Sequence, residues 1–280
     1  MNHIKKPLAL TIVIPAYNEA GIIGDCLDQI AAQTIKPNAV VIVDNNSTDE
    51  TAKIAKSYKF VRMIKEPVQG IVQARNAGFE AVKEGIIARI DADTILPNDW
   101  VETVLEYYSL DQNLRTVITG RGYFTNVAFP SSKFWLFMSN LFVFRLNRFI
   151  AGHFILWGSN MALPVKLWKD VKSETCLLDN IHEDLDLAIH LNSRGTKIVY
   201  KSDLIVGVEM KRVFSNWRAV YGNLMWWPRT FRVHGSKRWV VGAVGAYFLL
   251  LMSIILIITN KPIFYLREIS FKRISNLYPD

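Results

Sequence analysis

The residues best suited to chemistry in this chain are two pairs of carboxylates. Asp91-Ala92-Asp93 follows the apolar run GIIARI, and Glu183-Asp184 opens a helical pattern after His182. Two carboxylates at i and i+2 on a strand end can face one hard cation together, and that cation can bridge the phosphates of a nucleoside diphosphate. The spacing alone is weak, because Asp184-x-Asp186 repeats it. Position is what distinguishes Asp91 and Asp93; a solvated turn is the plain alternative. For Glu183 and Asp184 the plain alternative is complementing a helix N-terminus. The sharper one is a general base that takes the proton of an attacking hydroxyl. Sequence alone leaves those two even.

Other candidates also stand just after apolar runs. Asp44 ends VVIVD, where a carboxylate could accept hydrogen bonds from a base or ribose, or serve the turn Asp-Asn-Asn-Ser. Pro15, Tyr17 and Glu19 follow the first run and offer an aromatic face and a carboxylate. Arg75, Arg121 and Arg212 could neutralise a diphosphate, since a fork of donors matches phosphate.

The elements that must hold these residues alternate. Leu8–Ile14, Ala39–Val43, Phe60–Ile64, Gly85–Ile90 and Thr116–Thr119 read as strands. Helical patterns start at Ile22, at Val72 (running to Val82) and at Trp100, with Pro97 placed at a helix's first position. Ser47-Thr48-Asp49-Glu50 matches a capping box for a further helix. Such alternation predicts an α/β fold, a parallel sheet with helices on both faces, and ligands at the carboxyl ends of its strands. Later come a helix near Val165–Val171, another at Leu185–Arg194 stopped by Gly195, and a strand at Lys197–Tyr200.

Two segments depart from that pattern. Trp239–Thr259 carries no charge, and as a helix it would be about 31 Å long, close to the hydrocarbon thickness of a bilayer. It predicts one transmembrane helix. Residues 130–157 are dense in Phe, Trp and Leu but hold Lys133, Arg145, Arg148 and His153, which predicts helices lying at a membrane interface, with a buried helix pair as the alternative. The expected domains are therefore 1–235, catalytic and cytosolic; 239–259, spanning; and 260–280, a basic tail. The net charge of +8 sits at the C-terminal end: residues 194–280 carry 14 Lys and Arg against 4 acids. Because this charge flanks the apolar segment, anionic lipid explains it better than nucleic acid. Basic residues are equal in number on the two sides, so they do not orient the span. Cys26 and Cys176 form no CxxC pair and no disulfide framework. The N-terminal apolar run lacks a small-residue cleavage site and reads as a strand.

Taken together and in order, TIVIPAYNE, VVIVDNNSTDET, GIVQARNAG, ARIDADT, WGSNMAL and HEDLDLAIHLNSRG resemble the family-2 glycosyltransferases, inverting enzymes with a GT-A fold. The resemblance covers roughly residues 10–215. It implies that Pro15, Tyr17, Glu19 and Asp44 hold the nucleoside, and that Arg75 and Asn76 line the diphosphate. It further implies that Asp91 and Asp93 hold nucleotide and metal, and that Asp184 is the base with Glu183 beside it. Gly158, Ser159 and Asn160 fall on the acceptor side. The implied cofactor is Mg²⁺ or Mn²⁺, and the implied donor a UDP- or GDP-linked sugar. The family's processive synthases carry Gln-x-x-Arg-Trp after the Glu-Asp pair; here Trp226-Trp227-Pro228-Arg229 stands instead, which favours single addition. The aromatic segment suggests a lipid-linked or cell-envelope glycan acceptor. A sugar-phosphate nucleotidyltransferase would need a Gly- and Arg-rich loop after the first strand, and a dinucleotide enzyme G-x-G-x-x-G; neither is present. A non-catalytic membrane scaffold with a degenerate transferase domain is the alternative from another class.

Overall fold

The computed structural model describes residues 8–110, 114–125, 132–178, 180–209, 217–255 and 258. Strands β1 (Leu10–Ala16), β2 (Ala39–Asp44), β3 (Val61–Lys65) and β4 (Ile86–Arg89) pair in parallel, in the order β3-β2-β1-β4. The runs of β1, β2 and β4 are largely apolar because helices cover both faces, whereas β3 at the edge carries exposed Arg62 and Lys65. On one face Leu10, Ile12, Ile14, Val40 and Ile42 pack with α1 (Ile23–Ala31), α2 (Thr51–Ser57) and α4 (Trp100–Leu110). On the other, Val13, Val41, Val43 and Ile87 pack with α3 (Ile71–Ala81), α7 (Val165–Val171) and α8 (Glu183–Ser193). Cys26 is buried in the first of these cores.

The rest of the sheet is mixed. Strand β7 (Met161–Pro164) runs antiparallel to β4 and to β6 (Thr116–Thr125). Then β8 (Lys197–Glu209) lies parallel to β6, and the two-residue β5 (Thr94–Ile95) pairs antiparallel with β8. The full order is β3-β2-β1-β4-β7-β6-β8-β5. The all-parallel expectation therefore holds for half the sheet. Strand periodicity reports which face is buried and not which way the neighbour runs, and β7 and β5 are too short to announce themselves.

Two local signals resolve differently from expectation. Ser47 and Glu50 form no capping box: α2 has no side-chain cap, and the Ser47 amide instead donates to Asp44 Oδ1. Pro97 lies ahead of α4 rather than in its first position; the Trp100 amide donates to its carbonyl at 3.2 Å.

Segment 130–157 forms α5 (Ser132–Ser139), a π-helical stretch (Asn140–Leu146) and α6 (Asn147–Ala151). Phe144 and Ile150 bury themselves with Leu185, Trp227 and Phe231, joining this segment to α8 and α9 (Trp217–Val233). Phe137 and Phe149 stay more than half exposed. Residues 239–255 are helical, and Phe248 stacks on Phe142 at 4.7 Å. No helix among the described residues is long and apolar enough to cross a membrane. Residues 256, 257 and 259 of the expected span, and the tail 260–280, lie outside the described residues.

Candidate active site

A cavity of about 560 Å³ opens at the carboxyl ends of β1 and β4. Pro15, Tyr17 and Glu19 line it from the loop after β1, Asp91 and Asp93 from the turn after β4, and Glu183 and Asp184 from the start of α8. Trp157, His182 and Trp226 complete its other side. Segments remote in sequence thus converge where a doubly wound sheet places its ligands.

The loops after β1 and β2 are tied to each other. The Asn18 amide donates to Ser47 Oγ, the Thr48 amide to Asn18 Oδ1, and the Ala20 amide to Asp49 Oδ2. Asn18 and Asn46 both take left-handed backbone angles, which asparagine tolerates best among residues with a side chain. Tyr17 is left half exposed beside the cavity, while Glu19 is buried and its amide donates to Thr51 Oγ1.

At the centre is a group the sequence reading passed over, Arg89, the last residue of β4. Its side chain is 2% exposed and meets three carboxylates: Asp184 through Nη1, and Glu183 and Asp91 through Nη2 at 3.0 and 3.2 Å. The signal was available, since a lone arginine inside the apolar run GIIARI cannot be buried without partners. Gly158 makes room for it: a Cβ there would lie 2.5 Å from the Arg89 Cζ. The same glycine donates its amide to Asp184 Oδ2 at 2.6 Å. Ser159 Oγ donates to Asp91 Oδ2 at 2.5 Å.

The two adjacent acids are driven apart. Burial, reinforced by Glu183 and Asp91 and opposed by Arg89, pushes Asp184 up to about 7. Burial also acts on Glu183, yet Arg89, His182 and Arg75 outweigh it and hold that carboxyl below its ordinary value. Burial works against the charge on Arg89, but Asp184, Asp91 and Glu183 together raise it further.

Several expected residues stand behind the wall instead of on it. Asp44 is buried, and its hydrogen bond is the turn contact with the Ser47 amide. Arg75 is fully buried; it donates to the Glu183 carbonyl at 2.6 Å and grips Asn76 Oδ1 with Nε and Nη2. Asn160 has no exposed surface: it accepts from Trp100 Nε1 and donates to the carbonyls of Arg121 and Leu204. Gly158 and Ser159 therefore meet the cavity through Arg89, Asp184 and Asp91, and the Asn160 side chain is turned to other partners. Arg121 sits on β6 and does not line the cavity. Arg212 lies outside the described residues.

Trp226 and His182 were not singled out beforehand. Helix α9 carries Pro228, which lacks an amide proton; in the same turn Thr230 Oγ1 donates to the Trp226 carbonyl and accepts from the His182 amide. This links α9 to the start of α8.

A family model described as Glycosyl transferase family 2 matches residues 11–167. Over 122 residues, 42% of its length, the chain is 35% identical to a hyaluronan synthase of Pasteurella multocida, of which it spans 13%. Over 100 residues it is 34% identical to glycosyltransferase AglE of Haloferax volcanii, covering 33% of each. The chain thus spans no more than about a third of these two relatives' own lengths. The mannosyltransferase PcManGT of Pyrobaculum calidifontis, solved with GDP-Man and Mn²⁺, superposes with a TM-score of 0.61 over 98% of this chain and 82% of its own, at 17% identity. TarS 1–349 of S. aureus, solved with UDP-GlcNAc, gives 0.59 over 80% and 65%, at 16% identity. At such identities the likeness is one of fold.

Proposed function

The chain is a member of glycosyl transferase family 2, and on that premise we propose that it moves a sugar from a nucleoside-diphosphate sugar to an acceptor hydroxyl with inversion. One observation carries the reading: a single cavity is lined by Tyr17 and Glu19, by Asp91 and Asp93, and by Asp184, which is pushed up to about 7. GDP-Man with Mn²⁺ in one structural neighbour and UDP-GlcNAc in another support a nucleotide-sugar donor and a divalent cation.

Asp91 and Asp93 fit a hard cation. Both offer oxygen only, the Asp91 carboxylate is about a third exposed at 35%, and Ser159 fixes its orientation. Such a cation would supply positive charge to the departing diphosphate. Asp184 accepts the proton of the acceptor hydroxyl as its oxygen bonds to the anomeric carbon, and the carbon–oxygen bond to the diphosphate breaks with its electron pair. Arg89 and the Gly158 amide hold Asp184 in place for that step, while Glu183 stays ionised and keeps Arg89 charged. Tyr17 and Glu19 receive the nucleoside, with Pro15 shaping the same wall.

The acceptor in this reading is a lipid-linked or cell-envelope glycan, met at a membrane that the chain enters from the cytoplasmic side. The helix over 239–255 supports this. Val240, Val244, Tyr247, Leu251 and Ile254 on it are each 45% exposed or more, and Phe137 and Phe149 on the neighbouring segment are more so than Ile254. Basic residues flank the apolar stretch on both sides.

The test is release of nucleoside diphosphate from a panel of UDP-, GDP- and dTDP-sugars with Mn²⁺ or Mg²⁺, with and without membrane lipid extract. Turnover of one donor that is enhanced by lipid and lost in Asp93→Ala and Asp184→Asn is the expected result. No release and no nucleotide binding would return the chain to the scaffold class. A soluble acceptor that serves as well as any lipid-linked one would remove the lipid assignment.

A further inference from the structure

Four metal-ligating side chains meet on the side of α8 turned away from the cavity. Asp186 follows Asp184 by two residues, about 200° around the helix, and is fully buried. His190 stands one turn further along the same face. Cys176 comes from the loop after α7, and His234 from just beyond the end of α9. One ligand atom from each lies within 4.8 Å of all the others. His234 Nε2 is 2.9 Å from Asp186 Oδ1, and His190 Nε2 is 3.4 Å from the same oxygen. The Cys176 amide donates to Asp186 Oδ2 at 3.1 Å.

We propose that Cys176, Asp186, His190 and His234 form a four-ligand structural site for Zn²⁺. Imidazole, thiolate and carboxylate are each zinc ligands, and four of them complete its tetrahedron with no position left open for substrate. Independent support comes from His190. Its Nδ1 faces Glu174 Oε2 at 3.7 Å, while its Nε2 is buried and makes no hydrogen bond. A carboxylate behind an imidazole places the proton on the nitrogen nearer to it and turns the other lone pair towards a metal. Here that lone pair would face Asp186 Oδ1, two acceptors in opposition unless a cation lies between them. Glu174 is itself anchored by Arg194. Binding releases the Cys176 proton to solvent.

The site would clamp α9, which brings Trp226 to the cavity, onto α8, which carries Asp184. It does not depend on the sugar-transfer reading.

The experiment uses the full chain in detergent with reductant, loaded with Zn²⁺ and desalted, and measures zinc by atomic spectrometry. Wild type and Asp93→Ala should each retain about one zinc per chain, and Cys176→Ser and His234→Ala should bind it at least tenfold more weakly. Because a variant could fail to fold, Co²⁺ is also titrated into apo wild type. A thiolate-to-cobalt charge-transfer band in the near ultraviolet is expected, displaced by Zn²⁺. Absence of both retained zinc and that band in wild type overturns the proposal. So does zinc held equally by folded Cys176→Ser and His234→Ala, or zinc lost in Asp93→Ala but kept in those two.

Discussion

The loops after β1 and β2 and the junction of β4 with α8 place their charged residues by different means. In the loops after β1 and β2, the chain beside the cavity is held by turn contacts to backbone amides: Asp44 accepts from the Ser47 amide, and Asn18 accepts from the Thr48 amide in the adjoining loop. Where the end of β4 meets the turn before β7 and the start of α8, side chains hold other side chains. Arg89 joins Asp184, Glu183 and Asp91, and Arg75 reaches the Glu183 carbonyl. A turn can lose one side chain and keep its shape, because its backbone bonds remain. A buried charge network cannot, because each partner is the solvation of the others. Chemistry that must shift a pKa belongs in the second kind of environment.

The largest effect that would break this comparison is on Asp184. Asp184→Asn keeps the shape and should lower kcat by about 10²- to 10⁴-fold, while donor binding stays within a few-fold. The readout is steady-state release of nucleoside diphosphate beside a nucleotide-binding titration. A variant that kept full kcat would move the base elsewhere.

Next in size is a contrast between the two sides. Arg89→Met strands three carboxylates and should cost about 3–5 kcal/mol, the usual penalty for removing one partner of a buried ionic group. Asp44→Ala loses one turn hydrogen bond and should cost about 1 kcal/mol. Urea denaturation of both variants measures the gap. Equal losses would show that the two regions are not different in kind.

Acidity gives a third probe. Asp184 has its folded value raised to about 7, so the stability it contributes is present at low pH and is lost as pH rises through about 7. Glu183, held low, contributes with the opposite sign, and its share is lost as pH falls through its depressed value. Activity needs Asp184 ionised, so kcat/KM should fall by about tenfold per unit below pH 7 and level off above it. Rate and Asp184-linked stability therefore run in opposite directions between pH 5 and 7, to be followed by initial rates and melting midpoints on the same samples.

The contrast also explains what the sequence made legible. Strands β1, β2 and β4 are apolar runs ended by Pro15, Asp44 and the Asp91 turn, so their ligand edge could be read from periodicity. The cavity side of α8 could be read from Glu183-Asp184 at a helix start. Arg89 was missed because two of its three partners, Asp184 and Glu183, lie some ninety residues away in sequence; its place inside GIIARI says that it needs partners but not which they are. The resemblance places Asn160 on the acceptor side, but no local pattern shows where its side chain goes: its donors and acceptor are spent on Trp100, Arg121 and Leu204. Strand direction at β7 was hidden for the same reason: pairing partners are chosen in three dimensions.

Gly158→Ala sharpens the network side further. A Cβ would press on the Arg89 guanidinium at 2.5 Å, and neither that group nor the amide bonded to Asp184 has free room. Overpacking of this kind costs about 1–3 kcal/mol. Because the added methyl pushes the cation and leaves the acids in place, the pH at which kcat/KM falls should move along with the melting temperature. Stability lost without any shift in that pH would separate packing at Gly158 from the electrostatics of Asp184.

The smallest effect belongs to the turn side, at Tyr17. Half exposed, the ring touches the cavity without supporting other groups, so Tyr17→Ala should leave the melting temperature unchanged within a degree or two. If the ring stacks on the nucleobase, its loss removes about 0.5–1.5 kcal/mol of donor binding, a rise in donor KM of about 2- to 10-fold with kcat nearly constant. Tyr17→Phe keeps the face and should restore the KM. Were Tyr17→Phe as weak as Tyr17→Ala, the hydroxyl and not the ring face would be the contact. Were kcat to fall instead of KM rising, Tyr17 would act on the reacting sugar, and the nucleoside would have to be placed deeper, towards Asn45 and Gln69 on the same wall.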